Sequence, residues 1–321
     1  MATLSGHFWT VLPYLARTRV TTHPNARPWE TSTAGLGLEG VRLSGLWHDA
    51  GDSDLAVILV HGLGGSAESG YVATVSKTMA AAGLPNLRLN LRGADLQGED
   101  MFHAALAEDV DAALASPELS RFSRIVVIGF SLGGHLAMRW AMRPSDPRVS
   151  AVGAICPPLD LAACADHLDG PARSVYRTRI LRSLKAAHTA ASERGRGVAP
   201  EARVGALRTI RGWDETVVVP RFGFGSAQAY YAWASVGPRL DQLRVPTLLL
   251  EARNDPMIPA YSARLHLRAP RDSRGRRLLT LRSTERGGHV GFPPDLDLGF
   301  GGRRGLEGQL IAWTRHVGRR G

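Results

Sequence analysis

The segment "GFSLGGH" (129–135) places a serine two residues from a glycine on either side. A serine hydroxyl is a weak nucleophile until a base takes its proton, so Ser131 calls for a base, an acid to orient that base, and donors for the oxyanion. Eleven histidines are available. His289, in "TERGGHVGF" (284–292), follows the last expected strand on a glycine loop from which an imidazole can reach across a sheet, and it comes after the serine in chain order. The stretch "PTLLLEARNDPMIP" (246–259) carries two carboxylates, Glu251 inside an expected strand and Asp255 just beyond it. A carboxylate within a strand points sideways into packing, whereas one past its end can face the histidine. Asp255 is therefore the expected acid, with Glu251 as the fallback and a turn-forming aspartate before Pro256 as the plainer reading. The glycine loop "HGLGGS" (61–66) exposes backbone N–H groups; those of Leu63 and Leu132 are the expected oxyanion donors. His61 is expected to shape that loop rather than to act as a second base.

These residues need a scaffold, and short apolar runs supply one. "GVRLSGLW" (40–47), "LAVILV" (55–60), "NLRLNL" (86–91), "RIVVIG" (124–129), "VSAVGAIC" (149–156), "PTLLLE" (246–251) and "RLLTLR" (277–282) read as strands. Helical patterning lies between them, over 72–82, 104–115 and 132–143, the last stopping before Pro144. Such alternation predicts an α/β fold, a mostly parallel central sheet with helices on both faces. Ser131 falls at a strand-to-helix joint, where flanking side chains would strike the neighbouring elements and glycine fits. About ninety residues separate the strand ending at Cys156 from the one starting at Pro246, where a crossover needs roughly thirty. The excess predicts an inserted helical lid over 161–235 within a single domain: an N-terminal arm over 1–39, and a core over 40–160 and 236–321.

The insertion carries two patterns of its own. Trp213, Phe222, Phe224, Tyr230, Tyr231 and Trp233 form an aromatic concentration that is either lid core or the wall of an apolar acyl pocket. In "ARSVYRTRILRSLKAAH" (172–188), Tyr176, Ile180 and Leu184 make an apolar stripe that leaves Arg173, Arg179, Arg182 and Lys185 outside. That face is either simply solvated or a weak contact for anionic membrane surfaces.

Composition narrows the function classes. With 44% apolar and 21% charged residues the chain is of soluble globular type. No apolar run approaches a membrane span, and the first residues lack a basic leader, so a cytoplasmic protein is expected. Cys156 and Cys164 are too few for a disulfide framework or a zinc site and read as buried thiols. The formal charge of +10 is almost all arginine, Lys77 and Lys185 being the only lysines, and it is dispersed along the chain without a recognition motif. Nucleic-acid binding is not expected. Serine chemistry of this kind requires no metal or organic cofactor.

With these residues in place, the chain resembles the α/β-hydrolase superfamily and, more narrowly, its YheT-like branch. The segments that carry the resemblance are "GHFWTVLP" (6–13), "HGLGGSAESGYV" (61–72), "LRGADLQGEDMFHAALAEDV" (91–110), "GFSLGGHLAMRW" (129–140), "WDETVVVPRFGFGSAQAYY" (213–231), "PTLLLEARNDPMIP" and "GGHVGF" (287–292). The resemblance implies Ser131 as nucleophile, Asp255 as acid and His289 as base, and hydrolysis of a carboxylic ester, with phospholipid or other acyl substrates among eukaryotic relatives. Family members usually begin the fifth segment with Phe-Asp; here Trp213-Asp214 stands instead, a departure that touches lid packing and not the triad. An acyltransferase with the same triad, and a catalytically silent binding protein of this fold, are the other readings. Aspartate-nucleophile enzymes of the fold, such as haloalkane dehalogenases, do not fit a serine at the elbow.

Overall fold

The structure, a computed structural model, describes residues 4–17, 25–36, 40–268 and 273–319. The expected arm, 1–39, therefore lies partly outside the described residues. All seven expected strands are present, and an eighth arises from the arm. In chain order they are β1 (Ala26–Ser32), β2 (Arg42–His48), β3 (Leu55–Val60), β4 (Asn86–Leu89), β5 (Arg124–Phe130), β6 (Val149–Ile155), β7 (Thr247–Ala252) and β8 (Leu279–Thr284). They form one sheet in the order β1-β2-β4-β3-β5-β6-β7-β8, antiparallel at β1/β2 and β2/β4 and parallel from β4 to β8. The polar pattern of β1 hid it from hydrophobic periodicity, since only Trp29 is buried.

Every residue of β3 is buried, because helices cover both faces of the sheet. On one face Ala56, Ile58 and Val60 join the elbow helix Leu132–Met142 through Leu136 and Trp140. On the other, Val57 and Leu59 meet Val72 and Val75 of helix Gly70–Ala81, and Leu310 and Trp313 of helix Leu306–Val317. Strand order reverses around β3, so the loops leaving β3 and β5 diverge at the sheet's carboxyl edge. Open α/β sheets bind ligands at such a point.

Two expected elements are shorter than their patterns suggested. Helix 104–115 begins only at Glu108; ahead of it the N–H groups of Ala104 and Ala105 are taken by the Tyr230 hydroxyl (2.8 Å) and His103 Nδ1 (3.2 Å). Strand 86–91 stops at Leu89, since the Leu91 N–H turns to His61 Nε2 (3.1 Å).

Between β6 and β7 the chain is helical, from Leu161–Asp169 and the long Ser174–Glu193 to Ala227–Ala234. Its buried side chains, among them Ile180, Leu184, Trp213 and Tyr230, belong to the same core cluster as the sheet residues beneath. A buried ion ladder adds polar ties. Arg92 bonds Asp109 and Asp100, and Asp100 accepts Arg221 Nε of the inserted segment at 2.8 Å.

Candidate active site

Ser131 stands between β5 and the elbow helix with φ 53° and ψ −120°, a conformation that L-residues seldom adopt. Its N–H is held by the Ile155 carbonyl at 2.8 Å. The flanking glycines are required by contact. A Cβ on Gly129 would lie 2.0 Å from the Gly133 carbonyl oxygen, and one on Gly133 would lie 2.4 Å from the carbonyl oxygens of Val60 and His61. Strained backbone of this kind clusters here: of the four described non-glycine residues with positive φ, Ser131, Leu96 and Val290 line one cavity, and the fourth is the buried Cys156.

Asp255 and His289 meet as expected. The Asp255 carboxylate accepts His289 Nδ1–H at 2.9 Å through Oδ2, while Oδ1 accepts the N–H groups of Met257 (2.8 Å) and Ile258 (3.0 Å). With Nδ1 so engaged, Nε2 is the ring nitrogen left to act as base. Both residues are buried. Glu251 instead accepts the Ser283 hydroxyl at 2.8 Å and does not line the cavity. Ser131 and His289 line the same cavity, about 860 Å³ in volume, without a hydrogen bond between them among the described residues. Such bonds commonly tighten only when substrate binds.

The loop after β3 lies against the serine. A Cβ on Gly62 would come within 2.9 Å of Ser131 Cβ. Tyr71 Oη accepts the Gly62 N–H at 2.8 Å, and Gly65 N–H closes onto the Gly62 carbonyl at 3.0 Å. The N–H groups of Leu63 and Leu132 enter no hydrogen bond among the described residues, and both residues line the cavity. His61 is a rivet for this loop. Burial pushes it down to about 4, so the ring is neutral: Nε2 accepts the Leu91 N–H, which leaves Nδ1–H to donate to the Gly62 carbonyl at 2.8 Å.

Several site residues were not foreseen. Thr10 Oγ1 accepts the His289 N–H at 2.8 Å and donates to the Gly6 carbonyl at 2.8 Å, so the N-terminal helix Leu4–Arg17 holds the histidine loop. Asp214 opens a π-helical turn, Asp214–Val218, and lines the cavity with its carboxylate bonded to the Tyr231 hydroxyl at 2.5 Å; burial pushes it up to about 7. Both lie in segments that carried the family resemblance, where a side chain's contact is invisible to spacing. Of the aromatic concentration, Trp213, Tyr230 and Tyr231 line the cavity, whereas Phe222, Phe224 and Trp233 gather around His103. The apolar stripe of the long helix is as expected, with Ile180 and Leu184 buried, but two of its cations are tied inward. Arg173 donates to the Pro256 carbonyl, and Lys185 to those of Gly205 and Leu207. Arg179 and Arg182 are exposed. Cys156 and Cys164 are buried free thiols, and burial raises both.

No described helix is long and apolar enough to cross a membrane. A profile of the alpha/beta hydrolase family matches residues 57–296. The chain is 28% identical to the esterase-named YheT protein of Escherichia coli (strain K12) over 74% of this chain and 70% of that one. It is 24% identical to medium-chain fatty acid ethyl ester synthase/esterase 2 of Saccharomyces cerevisiae, over 63% of this chain and 51% of that one, so it spans about half of that relative's length. Among solved structures, the Pyrococcus furiosus esterase Pf2001 superposes with a TM-score of 0.54 at 18% identity, covering 92% of this chain and 90% of that one. The serine elbow, the glycine loop after β3 and these likenesses converge: the chain belongs to the alpha/beta hydrolase family, in its YheT-like branch.

Proposed function

We propose that the protein is a serine hydrolase of carboxylic esters that works through an acyl-enzyme. The observation that carries this reading is the bond from Asp255 to His289, a residue that lines the same cavity as Ser131. Ser131 Oγ attacks the ester carbonyl carbon while His289 Nε2 takes its proton. The carbonyl electrons move onto oxygen, and the Leu63 and Leu132 N–H groups stabilise that oxyanion. Collapse breaks the ester bond, and His289 returns its proton to the departing alcohol. Water then repeats the sequence on the acyl-enzyme and releases the acid. Asp255 holds the imidazole in the tautomer with Nδ1–H and stabilises the imidazolium. No metal or organic cofactor enters these steps.

In this reading residues 161–235 are a lid inserted into a single domain, whose core is 40–160 and 236–321 and whose arm is 1–39. The lid's Ile180, Trp213 and Tyr230 wall the cavity and supply an apolar acyl site. A fluorophosphonate probe tests the assignment. Labelling is expected on Ser131 and is expected to vanish in Ser131→Ala; label that persists in the variant sinks it.

Transfer of the acyl group to an alcohol is the second reading, supported by the yeast relative, whose name joins ester synthase to esterase. Which acceptor wins depends on what the lid admits. Adding ethanol to a p-nitrophenyl ester assay and measuring ethyl ester against free acid separates the two.

A further inference from the structure

A surface helix ordinarily turns its apolar stripe toward the core. The helix Leu4–Arg17 does the reverse over the side chains described. Its inward face is Gly6, packed on the Asn254 carbonyl, and Thr10, bonded to the His289 loop. Its outward face, at helical spacing i, i+4 and i+7, is Leu4 (91% exposed), Phe8 (51%) and Val11 (42%). His7, between the two faces, bonds the Tyr176 hydroxyl at 2.7 Å and so anchors the helix to the long inserted helix.

This face is continuous with the cavity. Val11 lines the cavity, and so do two other exposed apolar residues from separate elements, Leu96 (51%) and Val175 (78%). Exposed apolar side chains gathered from several elements around one cavity mark an interaction site, since water gains nothing from them. The charges beside it have one prevailing sign. Arg179 and Arg182 are exposed on the same lining, and Glu68 is its exposed acidic member. Apolar side chains that can enter an acyl layer, flanked by arginines that can meet its headgroups, match an anionic lipid surface.

We propose that the outward face of helix Leu4–Arg17 and the rim formed by Val11, Leu96 and Val175 dock the protein on an anionic lipid surface, with the cavity opening toward it. An acyl ester would then pass from lipid to Ser131 without crossing water. Only that last clause rests on the hydrolase reading; the docking itself does not.

Sedimentation of the full chain with phosphatidylcholine vesicles, with and without phosphatidylglycerol, tests it. The wild type is expected to sediment with the anionic vesicles and to be released by salt. Leu4→Asp with Phe8→Asp should lower that partition about tenfold or more, because two apolar side chains lose their burial. Neither residue lines the cavity, so hydrolysis of p-nitrophenyl acetate should stay at the wild-type rate and report an intact fold. Should that variant misfold, Arg179→Glu with Arg182→Glu is expected to abolish anionic binding by itself. Equal partition of wild type and folded variants, equal binding to neutral vesicles, or no binding at all overturns the proposal. So does a solution dimer that Leu4→Asp with Phe8→Asp dissociates, which would assign the face to a second copy of the chain. Vesicle binding by a protein that hydrolyses no ester would leave docking in place and remove the enzymatic reading instead.

Discussion

A carboxylate that accepts two backbone N–H groups and one imidazole N–H has little freedom left, and Asp255 is in that position. Its substitution is therefore informative. Asp255→Asn should keep the fold but present an amide where the imidazole needs an acceptor, and turnover is expected to fall by about four orders of magnitude. Ser131→Ala and His289→Ala should each cost roughly three to six orders. Glu251→Gln should change turnover little, as its carboxylate serves Ser283. Turnover of p-nitrophenyl butyrate in the four variants checks the set; a large loss in Glu251→Gln with a benign Asp255→Asn would reverse the choice of acid.

Elements position these side chains through close backbone approach. The elbow helix can sit against β3 only because residue 133 lacks a Cβ, and Gly133→Ala would drive a methyl group into two carbonyl oxygens. That substitution is expected to cost about 3 kcal/mol or more, read as a loss of soluble protein or a depressed melting midpoint. The histidine loop depends on a different element, the N-terminal helix. Thr10→Val keeps the shape of the side chain and removes the acceptor of the His289 N–H. Its expected effect is a drop of about tenfold in kcat with KM and melting midpoint nearly unchanged, since small displacements of a base are costly. Thr10→Ser should restore the rate. A proportional rise in KM instead would place Thr10 in substrate binding.

Across the whole molecule, burial of titratable groups sets the response to pH. Desolvation holds His61 at about 4, His103 at about 3 and His135 at about 4, all below the 6.5 of an exposed imidazole. As pH falls below 6.5 the unfolded chain takes up protons that the native state refuses, so their contribution is complete above 6.5 and lost as pH falls through about 4. Asp214 runs the other way. Raised from 3.8 to about 7, it contributes stability present below 3.8 and lost as pH rises through about 7. Desolvation also lowers His167 and His266 and raises Asp109, so five imidazoles against two carboxylates predict a net loss on acidification. Urea midpoints at pH 7.5 and pH 5 should show it, and Asp214→Asn, which removes an opposing contribution, should widen the gap between them. An unchanged or narrower gap in that variant would contradict the assignment.

What the sequence determined by itself is what depends on local pattern. Buried parallel strands such as "LAVILV" and "RIVVIG" are apolar without interruption because both faces of the sheet are covered, and a serine between Gly129 and Gly133 at a strand-to-helix joint has one geometry open to it. Seven strands, the elbow and the separate positions of Ser131, Asp255 and His289 were legible on those grounds. Tertiary structure decided what depends on partners distant in the chain. β1 is a strand through pairing with β2 and not through its polar letters. The stretch ahead of helix Glu108–Leu114 is tied by the Ala104 N–H to Tyr230, 126 residues away. Thr10 meets a histidine 279 residues further on, and Asp214 faces the cavity only because the inserted helices fold back over the sheet. Periodicity records which side of an element is buried, whereas hydrogen bonds across such separations exist only once the chain has closed on itself.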